Sequence, residues 1–90
     1  MTETTEQFTV ELQPGLVPAV VTSIGNDQPG VTAAFFRVLA ANNVQILDVE
    51  QAPFRGHLSL AAYVGIPAGS HERLKTGLAD TLKSHGPTVT

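Results

Sequence analysis

The sequence predicts an α+β domain in which one antiparallel sheet carries two helices on a single face, in the order βαββαβ. Three observations predict it. Val31, Ala34, Phe35, Val38 and Leu39 fall at i, i+3, i+4, i+7 and i+8, the apolar stripe of an amphipathic helix. His57 to Ile66 alternates strictly, with Leu58, Leu60, Ala62, Val64 and Ile66 on one side, the pattern of a half-buried antiparallel strand. Leu74, Leu78 and Leu82 then repeat every four residues behind the Pro67-Ala68-Gly69 break, so a second helix follows the strands.

Taken in order, residues 1–15 read as an N-terminal tail or an added edge strand, polar except for the alternating patch Phe8 to Leu12. Residues 16–90 form the domain. Leu16 to Ile24 is dense in Val and Ala and stops at Gly25, a buried strand with Pro18 near its start. Asp27 is placed to cap the first helix and Pro29 to sit in its first turn, where a missing N–H costs nothing. Asn42-Asn43 ends that helix, because Asn tolerates the left-handed cap conformation. Val44 to Phe54 is the second strand, and Arg55-Gly56 turns it back into the strand from His57. Ser70 caps the second helix, His71 and His85 share its leucine stripe, and Gly86-Pro87 stops it. Thr88-Val89-Thr90 begins a fourth strand that the C-terminus cuts short. Short loops and right-handed crossovers assemble these elements into a ferredoxin-like split βαβ sandwich. One sheet face is left bare, which points to a partner.

Composition narrows the function. Ninety residues make one domain with a thin core, for which added burial in an oligomer is a common remedy. Apolar residues are 42% and charged residues 14%, a globular balance with a surface suited to being covered. The net charge of −3 and the scattered Arg37, Arg55, Arg73, Lys75 and Lys83 give no basic stripe, which argues against nucleic acid. The chain has no cysteine, so disulfides, thiolate metal sites and Cys nucleophiles are excluded. Met1 to Gln7 is unlike a signal peptide and no apolar run approaches the roughly 20 residues that span a bilayer, so a cytoplasmic location and no membrane partner are expected.

Catalytic and metal-binding arrangements are thin. His57, His71 and His85 are spaced by fourteen residues, on a strand and two positions of one helix, and suit structural or solvated roles better than metal ligation. Tyr63 is the one aromatic near the sheet centre, too little for base stacking. Gln28, Gly30, Val31 and Arg37 echo the phosphate cradle of acylphosphatase, but Arg37 lies two turns into the helix and points away from the loop, and Asp27 puts a negative charge where phosphate would sit. Asp48 and Glu50 share a strand face, and two solvated acids are commoner than an acid–base pair. No catalytic residue, metal or cofactor is expected.

The turn Asn26-Asp27-Gln28-Pro29-Gly30-Val31 is the remaining candidate. A helix starts there, so free N–H groups and the positive end of the helix dipole face outward, where a carboxylate fits. Gly30 lets a ligand approach the backbone, and Asp27 offers a carboxylate to an ammonium group. Together these describe an amino acid. An ordinary strand–helix turn has the same composition, and the residues alone do not separate the two.

The stretch VTSIGNDQPGVTAAFFRVLAANNVQILDVEQA resembles the ACT domain, a regulatory amino-acid-binding module. The family pattern is a strand, D/N-x-P-G-v/l, a helix, and a g-v-N-I-like opening of the second strand. Here it reads Asp27-Gln28-Pro29-Gly30-Val31 and Asn43-Val44-Gln45-Ile46, and the similarity runs from about Pro18 to Val89. The DQPGVT turn and Asp48-Val49-Glu50-Gln51 are most similar to the N-terminal ACT domain of some phosphoserine phosphatases. The resemblance implies that Gly30 and Val31 offer N–H groups to the ligand carboxylate and that Asp27 meets the amino group. Gln45, able to come near the turn, stands where many members have Asn, Asn26 and Gln28 are loop neighbours, and Gln51 could reach a partner chain. It also implies side-by-side pairing into a homodimer or higher oligomer, with the ligand between domains. The chain has no Asp-x-Asp-x-Thr phosphatase motif, so any Mg2+ would belong to a downstream phosphatase domain. Two readings follow: an amino-acid sensor, for L-serine, in an allosteric fragment of a serine-biosynthesis enzyme, or a stand-alone dimerisation module without ligand.

Overall fold

A computed structural model describes residues 11–90. Its element order is β1 (Leu16–Asn26), α1 (Val31–Ala41), β2 (Gln45–Phe54), β3 (His57–Pro67), α2 (His71–Thr81) and β4 (His85–Val89). The strands form one sheet in the order β2-β3-β1-β4, with every neighbouring pair antiparallel. This is the predicted ferredoxin-like βαββαβ arrangement. Its two crossovers each skip one strand, so β3 lies between β1 and β2, and β1 between β3 and β4.

The alternation of β3 is realised in full: Leu58, Leu60, Ala62, Val64 and Ile66 are all buried. Ala19 and Val21 of β1 join them, and Phe35 and Leu39 of α1 with Leu74 and Leu78 of α2 close the core from the other side. Phe35, Leu39 and Leu78 are wholly buried. Among the described residues the opposite sheet face is largely uncovered, with Val20 42%, Tyr63 48% and Ile24 57% exposed. β2 is an outer strand whose register slips between Ile46 and Asp48, a bulge that leaves Leu47 without a partner. The β2–β3 hairpin closes through Arg55 and Gly56, at φ 52° and 82°. These two left-handed residues suit the right-handed twist of the strands.

The structure corrects four local expectations. β1 does not stop at Gly25 but runs through it to Asn26. Gly30, not Asp27, occupies the N-cap of α1, with no side chain capping it, and Pro29 precedes the helix. Ser70 is the N-cap of α2, but its hydroxyl donates to the Pro67 carbonyl at 2.6 Å instead of capping an N–H. His85 is not on α2: the helix ends at Thr81, and β4 begins at His85 with Gly86-Pro87 inside it. The i+7 spacing from Leu78 to His85 imitates a helical stripe. The chain leaves the helix between them, because a strand must begin here to pair with β1.

Of the alternating patch Phe8 to Leu12, residues 8–10 lie outside the described residues. Glu11 to Gln13 lie against the bare face, where Leu12 covers Gly65 and the Gln45 carboxamide bonds the chain twice. Asn42 and Asn43 end α1 as expected, Asn43 at φ 59°. No helix among the described residues is long and apolar enough to cross a membrane.

Candidate ligand-binding site

The turn between β1 and α1 is built by Pro29 and Gly30. The Val31 N–H donates to the Gln28 carbonyl at 3.2 Å, and Gly30 sits at φ 87°, ψ −6°. This is a type II turn, with Pro at its second position and Gly at the third, where a positive φ is required. A Cβ added to Gly30 would meet no atom within 4 Å. The glycine is therefore needed for its backbone angle, and the space beside it is open to solvent. The Ala34 N–H returns to the Gly30 carbonyl at 2.9 Å, which starts the helix ladder. The positive end of the α1 dipole thus opens beside Gly30, without a side chain of the chain's own to occupy it.

The turn is tied down on both flanks. The Asp27 N–H donates to the Gly56 carbonyl at 3.0 Å, docking the turn on the β2–β3 hairpin. The Asp27 side chain is exposed. Asn26 is paired opposite His57 at the end of β1, and its carbonyl lies 2.9 Å from His85 Nε2. Inside the sandwich, His85 Nδ1 lies 2.8 Å from Ser23 Oγ, with Ser23 wholly buried and His85 7% exposed.

An open groove of about 500 Å³ runs beside the turn, lined by Gln28, Pro29, Gly30, Val31, Arg37 and Lys83 together with the end of α2. Arg37 was expected to point away from the loop. It lies two turns along α1 but on the flank facing the α2–β4 connection, and so shares the groove with Gly30. The groove therefore carries two cationic side chains beside the positive helix end, a surface that suits an anionic group.

The predicted residues separate into two ends of the sheet. Asn26, Asp27, Gln28, Gly30 and Val31 lie together in the turn. Gln51 joins them, because its Oε1 accepts from Thr32 Oγ1 at 3.1 Å in the first turn of α1. Thr32 was not singled out in the sequence; nothing local marks it. Gln45, expected near the turn, is at the far end. It pairs with Gly65, which pairs with Pro18, eight residues before Asn26, or about 26 Å along the strand. The crossover dictates this: α1 starts at the end of β1 and runs back, so the residues that follow it open β2 at the other end. The Gln45 carboxamide is engaged there, accepting from Gln13 N–H at 2.9 Å and donating to the Glu11 carbonyl at 2.8 Å.

Asp48 and Glu50 share the bare face, as their spacing predicts, beside Tyr63 in a shallow depression of about 170 Å³. Asp48 accepts from the neighbouring Val49 N–H at 2.9 Å. His57, His71 and His85 stand on three different elements, and no group of three or more potential metal ligands occurs among the described residues.

Comparison with known proteins agrees with this geometry. Phosphoserine phosphatase SerB2 of Mycobacterium tuberculosis is 48% identical over 54 residues, which is 60% of this chain and 13% of that protein. A phosphoserine phosphatase of Streptomyces coelicolor is 44% identical over 52 residues, 57% of this chain and 13% of its own length. The chain thus matches only a small part of either relative. Among solved structures, an ACT domain protein from Streptococcus pneumoniae superposes with a TM-score of 0.68 at 17% identity, covering 84% of this chain and 89% of that one. A formyltetrahydrofolate deformylase from Pseudomonas putida superposes with a TM-score of 0.74 at 14% identity, over 82% of this chain and 28% of that one. The sequence model of the ACT domain matches residues 18–90, from the third residue of β1 through β4. With that match over most of its length and the βαββαβ topology beneath it, the chain belongs to the ACT domain family.

Proposed function

We propose that this chain is an amino-acid-sensing regulatory domain whose ligand is L-serine, and that it is the N-terminal regulatory part of a cytoplasmic phosphoserine phosphatase. The Pro29-Gly30 turn carries the reading. It combines a positive helix end, a glycine with open space beside it, and the exposed carboxylate of Asp27. The ligand carboxylate accepts the Gly30 N–H and the N–H groups that follow Val31 at the start of α1, the Val31 N–H expected from the family resemblance being engaged by the Gln28 carbonyl, and the ammonium group pairs with Asp27. Gln28 and Asn26 border the ligand, and Gln51 limits it from the β2 side through Thr32. Serine is the choice because the two phosphatases similar to this chain act, by their names, on phosphoserine.

Pairing of two copies along the outer strand β2 completes the site. The Val49 side chain of this strand is 49% exposed and Phe54 is 72% exposed, so β2 retains apolar surface for a second copy. Antiparallel pairing of two β2 strands brings the start of the second copy's β2 to the Gln51 end of the first. Gln45 contributes to a ligand only by that route. The reading of a dimerisation module without ligand draws on the same exposed strand and on the engagement of Gln45 with residues 11–13.

Titration calorimetry with L-serine, glycine, L-alanine and L-aspartate, alongside sedimentation to fix the oligomeric state, tests the proposal. Saturable binding of L-serine by a dimer is expected. A dimer that gives no heat with any amino acid establishes the second reading.

A further inference from the structure

We infer that His85 positions the ligand turn and couples its occupancy to the pairing of β4. The inference rests on the reading of the 26–31 turn as the ligand site, but its structural half stands without a ligand. A backbone carbonyl only accepts, so His85 Nε2, 2.9 Å from the Asn26 carbonyl, carries a hydrogen and donates. A neutral ring then has Nδ1 as its acceptor, and the Ser23 hydroxyl at 2.8 Å donates to it. The two bonds fix the ring's orientation and tautomer. Both polar side chains are buried and satisfied, and Ser70 is the one other buried polar residue among those described.

Gly25 makes the arrangement possible. A Cβ at that position would meet the Ser84 carbonyl oxygen and His85 Cδ2, the latter at 2.6 Å, and His85 Cα at 2.8 Å. The glycine is not a strand breaker but the clearance that lets the ring lie over β1, between Ser23 and Asn26. Ser23, Gly25 and Asn26 are consecutive features of one strand, and each does a separate task toward the same imidazole. The outcome is a side-chain link from the first residue of β4 to the last residue before the turn. The backbone of the turn is otherwise anchored by the Asp27 bond to Gly56 on the opposite flank.

The link has a consequence for regulation. Loosening β4 frees the Asn26 carbonyl and lets the turn depart from the geometry that presents its N–H groups. By reciprocity, a ligand that holds the turn stabilises the pairing of β4 with β1. β4 is where that coupling is read, since Thr88 pairs with Thr22 and the Thr90 N–H donates to the Val20 carbonyl at 2.9 Å.

Amide exchange by NMR on the 90-residue chain tests this, with and without L-serine, in the wild type, His85→Leu and His85→Gln. Gln retains a donor near the place of Nε2, and Leu does not. In the free protein, His85→Leu removes the bonds to both Ser23 and Asn26, and loss of the part-buried one at Asn26 is expected to speed exchange of the Asp27 and Val31 amides about ten-fold, with the Leu39 amide unchanged. His85→Gln restores the slow rate. Where the wild-type ring is neutral, its nitrogen spectrum is expected to show the hydrogen on Nε2 and none on Nδ1. L-Serine slows exchange at Thr88 and Thr90 in the wild type and loses that effect in His85→Leu. If the Leu variant does not fold, Ser23→Ala, which frees the ring but keeps it, gives the same pattern more weakly. Equal exchange at Asp27 in all variants, or uniform acceleration that includes Leu39, overturns the inference. A protein that shows the free-state pattern but binds no amino acid removes the ligand reading and leaves the hold of His85 on the turn in place.

Discussion

Thr32 Oγ1 donates to Gln51 Oε1 at 3.1 Å, joining the first turn of α1 to the outer strand β2 across nineteen residues of sequence. Both groups lie at the end of the sheet that carries the β1–α1 turn, and neither belongs to the turn itself. The bond is exposed, so its net worth is at the low end of the usual range for a hydrogen bond, about 0.5 kcal/mol. Thr32→Val and Gln51→Leu are each expected to lower stability by about that amount, and the double variant by less than the sum. Urea denaturation of the three variants measures the coupling. A strictly additive double variant shows that the bond contributes nothing.

Gly30→Ala separates the ligand from the fold. The new methyl meets open space, so there is no clash to resolve. The cost is the left-handed backbone at φ 87°, about 1 kcal/mol for a residue with a Cβ. The domain is therefore expected to stay folded, with a melting temperature lower by about 4–8 °C, and to lose the L-serine binding proposed above, because the methyl fills the space the carboxylate needs, while the proposed pairing through β2 is spared. Gly30→Asn keeps more of the stability, since Asn tolerates this conformation better. Calorimetry and thermal melting on both variants check the prediction; full binding by Gly30→Ala would remove Gly30 from the site.

Side-chain periodicity made most of the fold legible, and the site only in part. β3 and the α1 stripe were readable because a helix or strand buried on one face repeats its apolar residues at a fixed interval. The turn was readable because Pro29-Gly30 encodes a backbone angle locally. Gly25 and His85 mislead a local reading for one reason. Glycine in a strand looks like an end, and a histidine seven residues after a leucine looks helical. Their meaning is a contact between residues sixty apart, which no local pattern carries. Gln45 and Gln51 illustrate the same limit. Only the strand register decides which glutamine reaches the turn, and the direction of the crossover sets that register.

Phe35 tests the core beneath the site. It is wholly buried on α1, with its ring edge-on to Phe36 at 5.3 Å between centroids. Phe35→Ala is expected to cost about 3–5 kcal/mol, a large share of the 5–15 kcal/mol that holds a typical domain together. Because Phe35 lies one turn beyond Val31, partial unfolding of α1 removes the turn geometry as well. Denaturation gives the stability, and circular dichroism shows whether helix content falls with it. A loss below about 1 kcal/mol, well under the cost of an unfilled cavity, means that the surroundings collapse to fill the space.

Gln45 and Gly65 hold the segment 11–13 against the far end of the bare face, and two variants distinguish that role from ligand binding. Gln45→Ala removes both bonds to the segment, those to the Gln13 N–H and the Glu11 carbonyl. Gly65→Ala leaves the bonds but places a methyl against Leu12 Cδ1, with Leu16 Cβ at 3.3 Å behind it. Leu12 ends in a flexible, 37% exposed side chain and gives way; Leu16 gives way less easily. Both variants are expected to speed exchange of the Gln13 amide. Gly65→Ala also destabilises the domain by about 1 kcal/mol, the low end of overpacking. Gln45 lies at the opposite end of β1 from Asn26, so Gln45→Ala is expected to leave the proposed L-serine binding unchanged in a single chain. A fall in affinity that appears only at concentrations where the domain dimerises assigns Gln45 to the site of a neighbouring copy, and no change at any concentration confines it to the tether.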